Sequence, residues 1–147
     1  MTLTDVNLLL YAYDSESPHH RKARAWLEER LSGAETFAFA WVGLLAFVRL
    51  ITNPRIFAHP LQASEALDLV AAWLSQPCAT VLHPGDRHVT LLRELLEPVG
   101  TAANLTTDAH LAVLAIEHGA ELCSSDADFS RFPGLRWANP LAPDAGR

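Results

Sequence analysis

The sequence predicts an α/β domain built around a short parallel sheet. Three features carry that expectation. Short apolar runs recur along the chain, each is followed by a longer segment whose apolar residues have helical spacing, and Gly or Pro punctuates most of the joins. Strands that alternate with helices pair in parallel, because each crossover returns the chain to the same edge of the sheet.

Residues 2–5 read as the first strand, with Asn7 as a cap for the helical run that continues to Tyr13. A second helix follows Pro18 over residues 19–31 and stops at Gly33, with Ala23, Trp26, Leu27 and Leu31 on its apolar side. Residues 37–40 (FAFA) form the second strand. The next helix starts near Trp41 and ends at Asn53, because Pro54 disfavours helix at the residue before it. Residues 62–74 read as an amphipathic helix capped by Ser64, 79–82 as a third strand, and 88–100 as a helix closing at Gly100. A helix beginning at Asp108 and capped by Gly119 leads into a strand at 121–125, an acidic loop and a short edge strand at 135–138.

Half of the 147 residues are hydrophobic, four of them Trp, enough for a sizeable core in one domain over 1–141, with 142–147 as a flexible tail. The net charge of −6 argues against a sequence-independent electrostatic nucleic-acid binder. It leaves room for an RNA enzyme whose positive charge comes from metal ions. Cys78 and Cys123 lack the spacing of a zinc site or a disulfide framework and read as core thiols of a cytoplasmic protein. No signal peptide is visible, and the longest apolar stretch, 37–48, is too short to cross a membrane. The low charged fraction, 19%, suggests a covered surface such as a dimer interface.

Three acidic groups stand out by position. Asp5 ends the first strand, and Asp126 and Asp128 follow the fourth; ligands of parallel sheets bind beyond the carboxyl ends of strands. Asp108 shares a helix face with Leu111, Ala112 and Ala115, which turns it towards the sheet. Each acid alone is readily explained as a helix cap or a polar turn. Together they converge on one sheet edge, where clustered carboxylates repel unless a cation joins them. An all-oxygen ligand set without His or Cys suits Mg²⁺ or Mn²⁺.

The ordered set of DVN near the start, TDAHLA in the second half and SSDADFSRF near the end resembles the PIN-domain pattern. TNPRIF and the late PGLRW…NPL are similar to an actinobacterial branch of VapC toxins. The resemblance runs from Asp5 to Leu141. It implies a three-layer α/β/α sandwich and Mg²⁺- or Mn²⁺-dependent endonucleolytic cleavage of RNA by metal-activated water. It also implies a cognate VapB-like antitoxin as partner and a homodimer. Carried over residue by residue, it makes Asp5, Asp108 and Asp126 catalytic metal ligands and Asp128 an accessory ligand. Asn7 and Ser124 then support the site. One departure is plain: the acid that many members carry on the helix after the second strand aligns with Ala46, and no Asp or Glu occurs between Thr36 and Gln62. That keeps a second reading open, a catalytically weakened module that binds RNA or a partner.

Arg49 and Arg55 flank the end of that helix and are candidate contacts to RNA phosphates. The seven His residues show no metal-binding pattern and receive no catalytic role. A phosphatase of the haloacid-dehalogenase type requires an Asp two residues after its nucleophilic Asp, where this chain has Asn7.

Overall fold

A computed structural model describes residues 1–143. In chain order the elements are β1 (Thr2–Thr4), α1 (Val6–Tyr13), α2 (His20–Ser32), β2 (Phe37–Phe39), α3 (Trp41–Ile51), α4 (Ala63–Leu74), β3 (Ala79–Val81), α5 (His88–Leu96), α6 (Leu105–His118), β4 (Glu121–Cys123) and β5 (Trp137–Ala138). Single 3₁₀ turns occupy Glu97–Val99 and Ala127–Arg131.

All five strands are parallel, in the order β3-β2-β1-β4-β5. Two cores lie on opposite faces of this sheet. The alternation of β2 shows why: Phe37 and Phe39 pack with Leu9, Leu27, Leu44, Phe47, Ile51 and Val70 of α1–α4, whereas Ala38 and Ala40 join the core built by α5 and α6. The result is the expected three-layer α/β/α sandwich. On the first face Trp73 stacks on Phe39 at 6.1 Å and meets Phe47 edge-on at 4.8 Å, while Trp26 meets Phe37 at 5.6 Å. Phe37, Phe39 and Phe47 are fully buried, and each burial stabilises the fold by on the order of 1.5–3 kcal/mol.

The strand order fixes where a site belongs. From β1 the chain moves out through β2 and β3 on one side, then crosses to β4 on the other side of β1. The carboxyl ends of β1 and β4 therefore flank the point at which the topology reverses, the usual crevice for a ligand on a parallel sheet.

Several boundaries differ from the sequence expectation for local reasons. Asp5, not Asn7, caps α1, its side chain accepting from the Val6 N–H. Gln62 and Glu65 form a reciprocal capping box at α4 in place of Ser64. Helix α6 begins at Leu105, so Asp108 sits in its first turn rather than at its start. Trp41, at the start of α3, is 45% exposed. Of the expected tail 142–147, Ala142 donates to the Asn139 carbonyl, and the Lys22 ammonium donates to the carbonyls of Leu141 and Ala142. Residues 144–147 lie outside the described residues.

Candidate active site

Ser124, fully buried just beyond β4, organises the crevice. Its hydroxyl donates to Asp5 Oδ2 at 2.8 Å. The same oxygen accepts from Asn7 Nδ2 at 3.2 Å and from the Asp126 N–H at 3.0 Å. One hydroxyl thus joins the end of β1, the first turn of α1 and the loop after β4. The Val6 N–H completes Asp5 by donating to Oδ1 at 2.7 Å.

Asp126 Oδ1 accepts from the Asp128 N–H at 2.9 Å and so caps the 3₁₀ turn. Asp128 is exposed and pairs loosely with Arg131 at 3.4 Å. Asp108 enters from α6, on the other core layer. Among the described residues no side-chain or backbone donor bonds to its carboxylate.

The electrostatics follow from this crowding. Burial pushes the Asp5 carboxyl up; the Ser124 hydroxyl and the Val6 N–H pull it down, and the charge of Asp126 adds to the rise. Asp108 is pushed up to about 6 by burial and by the charges of Asp5, Asp126 and Asp128, against a weaker pull from Arg131. The charges of three other acids therefore act on Asp108 at once.

The sequence leads one to expect Asp5, Asp108 and Asp126 around one ion, with water or substrate completing the shell. Among the described residues no three Asp, Glu, His or Cys side chains are drawn together tightly enough to hold an ion by themselves. Both Asp5 oxygens already accept hydrogen bonds, from the Val6 N–H and from the Ser124 hydroxyl. The donor set nevertheless fits Mg²⁺, which keeps several waters and needs only one or two direct carboxylates. Asn7 Oδ1, buried and without a partner, is one further oxygen in this set.

The structure separates the two candidate phosphate-binding arginines. Arg49 lines a cleft together with Thr107, the residue before Asp108. Arg55 lies beyond the far end of α3. There Phe57–His59 pack towards residues 13–16, past the end of α1 and roughly 12 Å of helix away from Asp5.

Sequence reasoning passed over two features. Arg131 faces the acids, and its signal was its place three residues after Asp128. His88, Glu117 and His110 form a hydrogen-bonded chain between α5 and α6, with His88 Nδ1 2.6 Å from Glu117 Oε1 and Nε2 2.9 Å from His110 Nδ1. No spacing in the sequence announces that contact.

The PIN domain family pattern matches residues 2–135. The chain belongs to the PIN domain family. Among curated PIN-type relatives, Ribonuclease VapC37 of Mycobacterium tuberculosis is 49% identical over 142 residues, covering 97% of this chain and 99% of that protein. Ribonuclease VapC33 of the same species is 43% identical over 141 residues, covering 96% and 99%. The fold matches a chain of VapBC2 from Rickettsia felis bound to a promoter DNA fragment, with TM-score 0.69 and 19% identity over 94% of this chain and 97% of that one. It likewise matches a chain of VapBC-1 from nontypeable Haemophilus influenzae, with TM-score 0.68 and 14% identity over 96% and 98%.

Proposed function

We propose that this PIN-domain chain is an endoribonuclease of the VapC kind, the toxin of a type II toxin–antitoxin pair, acting with Mg²⁺ or Mn²⁺. The observation that carries the proposal is Asp108: a partly buried carboxylate, bonded by no donor among the described residues and pushed up by burial and by the charges of Asp5, Asp126 and Asp128. The names of the relatives point to the same chemistry.

Asp5, Asp108 and Asp126 would hold the ion, with Asp128 as an accessory ligand. The bound ion would polarise a phosphodiester oxygen and acidify a water for in-line attack. Ser124 and Asn7 are positioning residues: they fix the orientation of Asp5 and tie it to the loop that carries Asp126. The partly open shell leaves substrate phosphate and water to complete the coordination.

The test is cleavage of a mixed RNA pool by the full chain in Mg²⁺ or Mn²⁺. Asp5→Asn keeps the side chain's shape and one acceptor oxygen while removing the charge, and should slow cleavage by at least about 100-fold, equivalent to about 2.7 kcal/mol of barrier. Loss of cleavage with a cooperative unfolding transition retained in EDTA supports the assignment; undiminished cleavage ends it. Ala46, where an acid is missing, favours the second reading of a weakened RNA- or partner-binding module. That reading holds if the wild-type chain binds RNA but does not cut it in either metal.

The proposal includes a cognate VapB-like antitoxin, a homodimer and a cytoplasmic location. Exposed Tyr13, Leu67 and Val89 provide apolar surface for partners to cover. Both cysteines are free, and no helix among the described residues is long and apolar enough to cross a membrane. Light scattering of the chain, alone and with the product of a neighbouring antitoxin gene, tests both associations.

A further inference from the structure

Between α3 and the start of α6 lies a cleft of about 290 Å³, walled by Val42, Leu45, Ala46 and Arg49 of α3 and by Thr107 of α6. Four features make it more than a dent between helices. Ala46 offers only a methyl group, so the floor stays open. Val42 and Leu45 present an apolar wall, and Leu45 is 60% exposed with nothing over it. Arg49, one turn beyond Leu45, has no ion-pair or hydrogen-bond partner for its guanidinium among the described residues. Thr107 directly precedes Asp108 in the first turn of α6, which ties one wall of the cleft to the helix that carries a proposed metal ligand.

Arg49 lies in the last turn of α3, where the helix dipole favours a cation. That accounts for its sign but not for its place in the wall of a cleft. The acids supply the other half of the argument. An RNA strand reaching Asp5, Asp108 and Asp126 meets four negative side chains, and Arg131 is already engaged with Asp128. Among the described residues Arg49 is a cation in the cleft wall with no partner of its own, and a planar guanidinium matches two phosphate oxygens.

The geometry points to this cleft as a nucleotide subsite of the RNA substrate: Arg49 and Thr107 hold the phosphate next to the scissile one, and Val42 and Leu45 pack against its ribose or base. The inference rests on the endoribonuclease reading and gives that site a strand-anchoring position. Arg49 is here a substrate-binding residue with no part in activating water.

The test uses the full chain carrying Asp5→Asn, in Mg²⁺, with a labelled single-stranded RNA as probe. Affinity is measured as a function of KCl concentration for this chain and with Arg49→Gln or Ala46→Leu added. Arg49→Gln should weaken binding about tenfold. It should also reduce the slope of log affinity against log salt by about 0.7, the value for one single-strand phosphate. Ala46→Leu fills the cleft without changing charge and should weaken binding as well. Equal affinity and slope for Arg49→Gln, or no RNA binding by the Asp5→Asn chain, overturns the inference. So does a change of oligomeric state in both variants by light scattering, which would assign the cleft to a second copy of the chain. Failure of the underlying reading looks different: the wild-type chain then cuts no RNA in either metal, whatever Arg49 does.

Discussion

Ser124 shows how much can depend on one small side chain. Its single proton goes to Asp5, and its lone pairs accept from Asn7 and Asp126. Ser124→Ala leaves two part-buried donors and one carboxylate oxygen without partners, and should cost about 1–3 kcal/mol in denaturant unfolding. It should also slow cleavage about 10–100-fold, as loss of support behind metal ligands usually does. The acids themselves were legible in the sequence, because strand ends can be read from the chain. The convergence on Ser124 was not, because it joins positions 119 residues apart. Asp108 makes a second prediction. Its ordinary value is 3.8 and the fold raises it to about 6, so between these values the folded chain keeps a proton that the unfolded chain has lost. The contribution of this group to stability is therefore present below pH 3.8 and is lost as pH rises through about 6. Cleavage should run the opposite way, rising as the carboxylate forms, and added Mg²⁺ should move that rise to lower pH. A pH profile of kcat/KM with a matching set of melting curves checks both directions.

At the scale of elements, α3 carries two jobs on two faces. Leu44, Phe47 and Ile51 fill the core against α1 and α4, whereas Trp41, Leu45 and Arg49 lie exposed at successive helical turns. Phe47→Ala should cost about 3–5 kcal/mol of unfolding free energy. Trp41→Ala should fall within about 0.5 kcal/mol of wild type. The sequence made α3 recognisable through its unbroken apolar run. The same run hid which face was buried, since an apolar residue on every side gives no periodicity to read. The α5–α6 contact is a third case. A Cβ on Gly85 would stand 2.6 Å from Glu117 Oε2, and that carboxylate is held by His88 and by the Gly85 N–H. Burial alone would raise the Glu117 carboxyl, but these bonds and the nearby imidazoles outweigh it and lower it. Gly85→Ala should displace Glu117 from His88 and lower the melting temperature, with RNA cleavage at permissive temperature unchanged.

For the whole molecule, the fold places its acids before any ion arrives. Because repulsion among them opposes the folded state, a cation that binds only the folded chain should stabilise it measurably, by about 2.7 kcal/mol at a hundred times its dissociation constant. Thermal melts in Mg²⁺ or Mn²⁺ against EDTA should show that gain, and Asp5→Asn and Asp108→Asn should each diminish it. The layered architecture was readable from the alternation of strands and helices. The strand order was not, because nothing local tells β4 to return beside β1. That return has a consequence for synthesis. Thr2 of β1 pairs with Glu121 of β4, and the crevice closes only when these distant strands meet. A chain emerging from the ribosome as far as β3 carries Asp5 but neither Ser124 to orient it nor Asp108 and Asp126 to face it. The proposed site cannot assemble until synthesis has passed Ser124 and Asp126, so the order of translation keeps its acids apart until β4 can pair with β1.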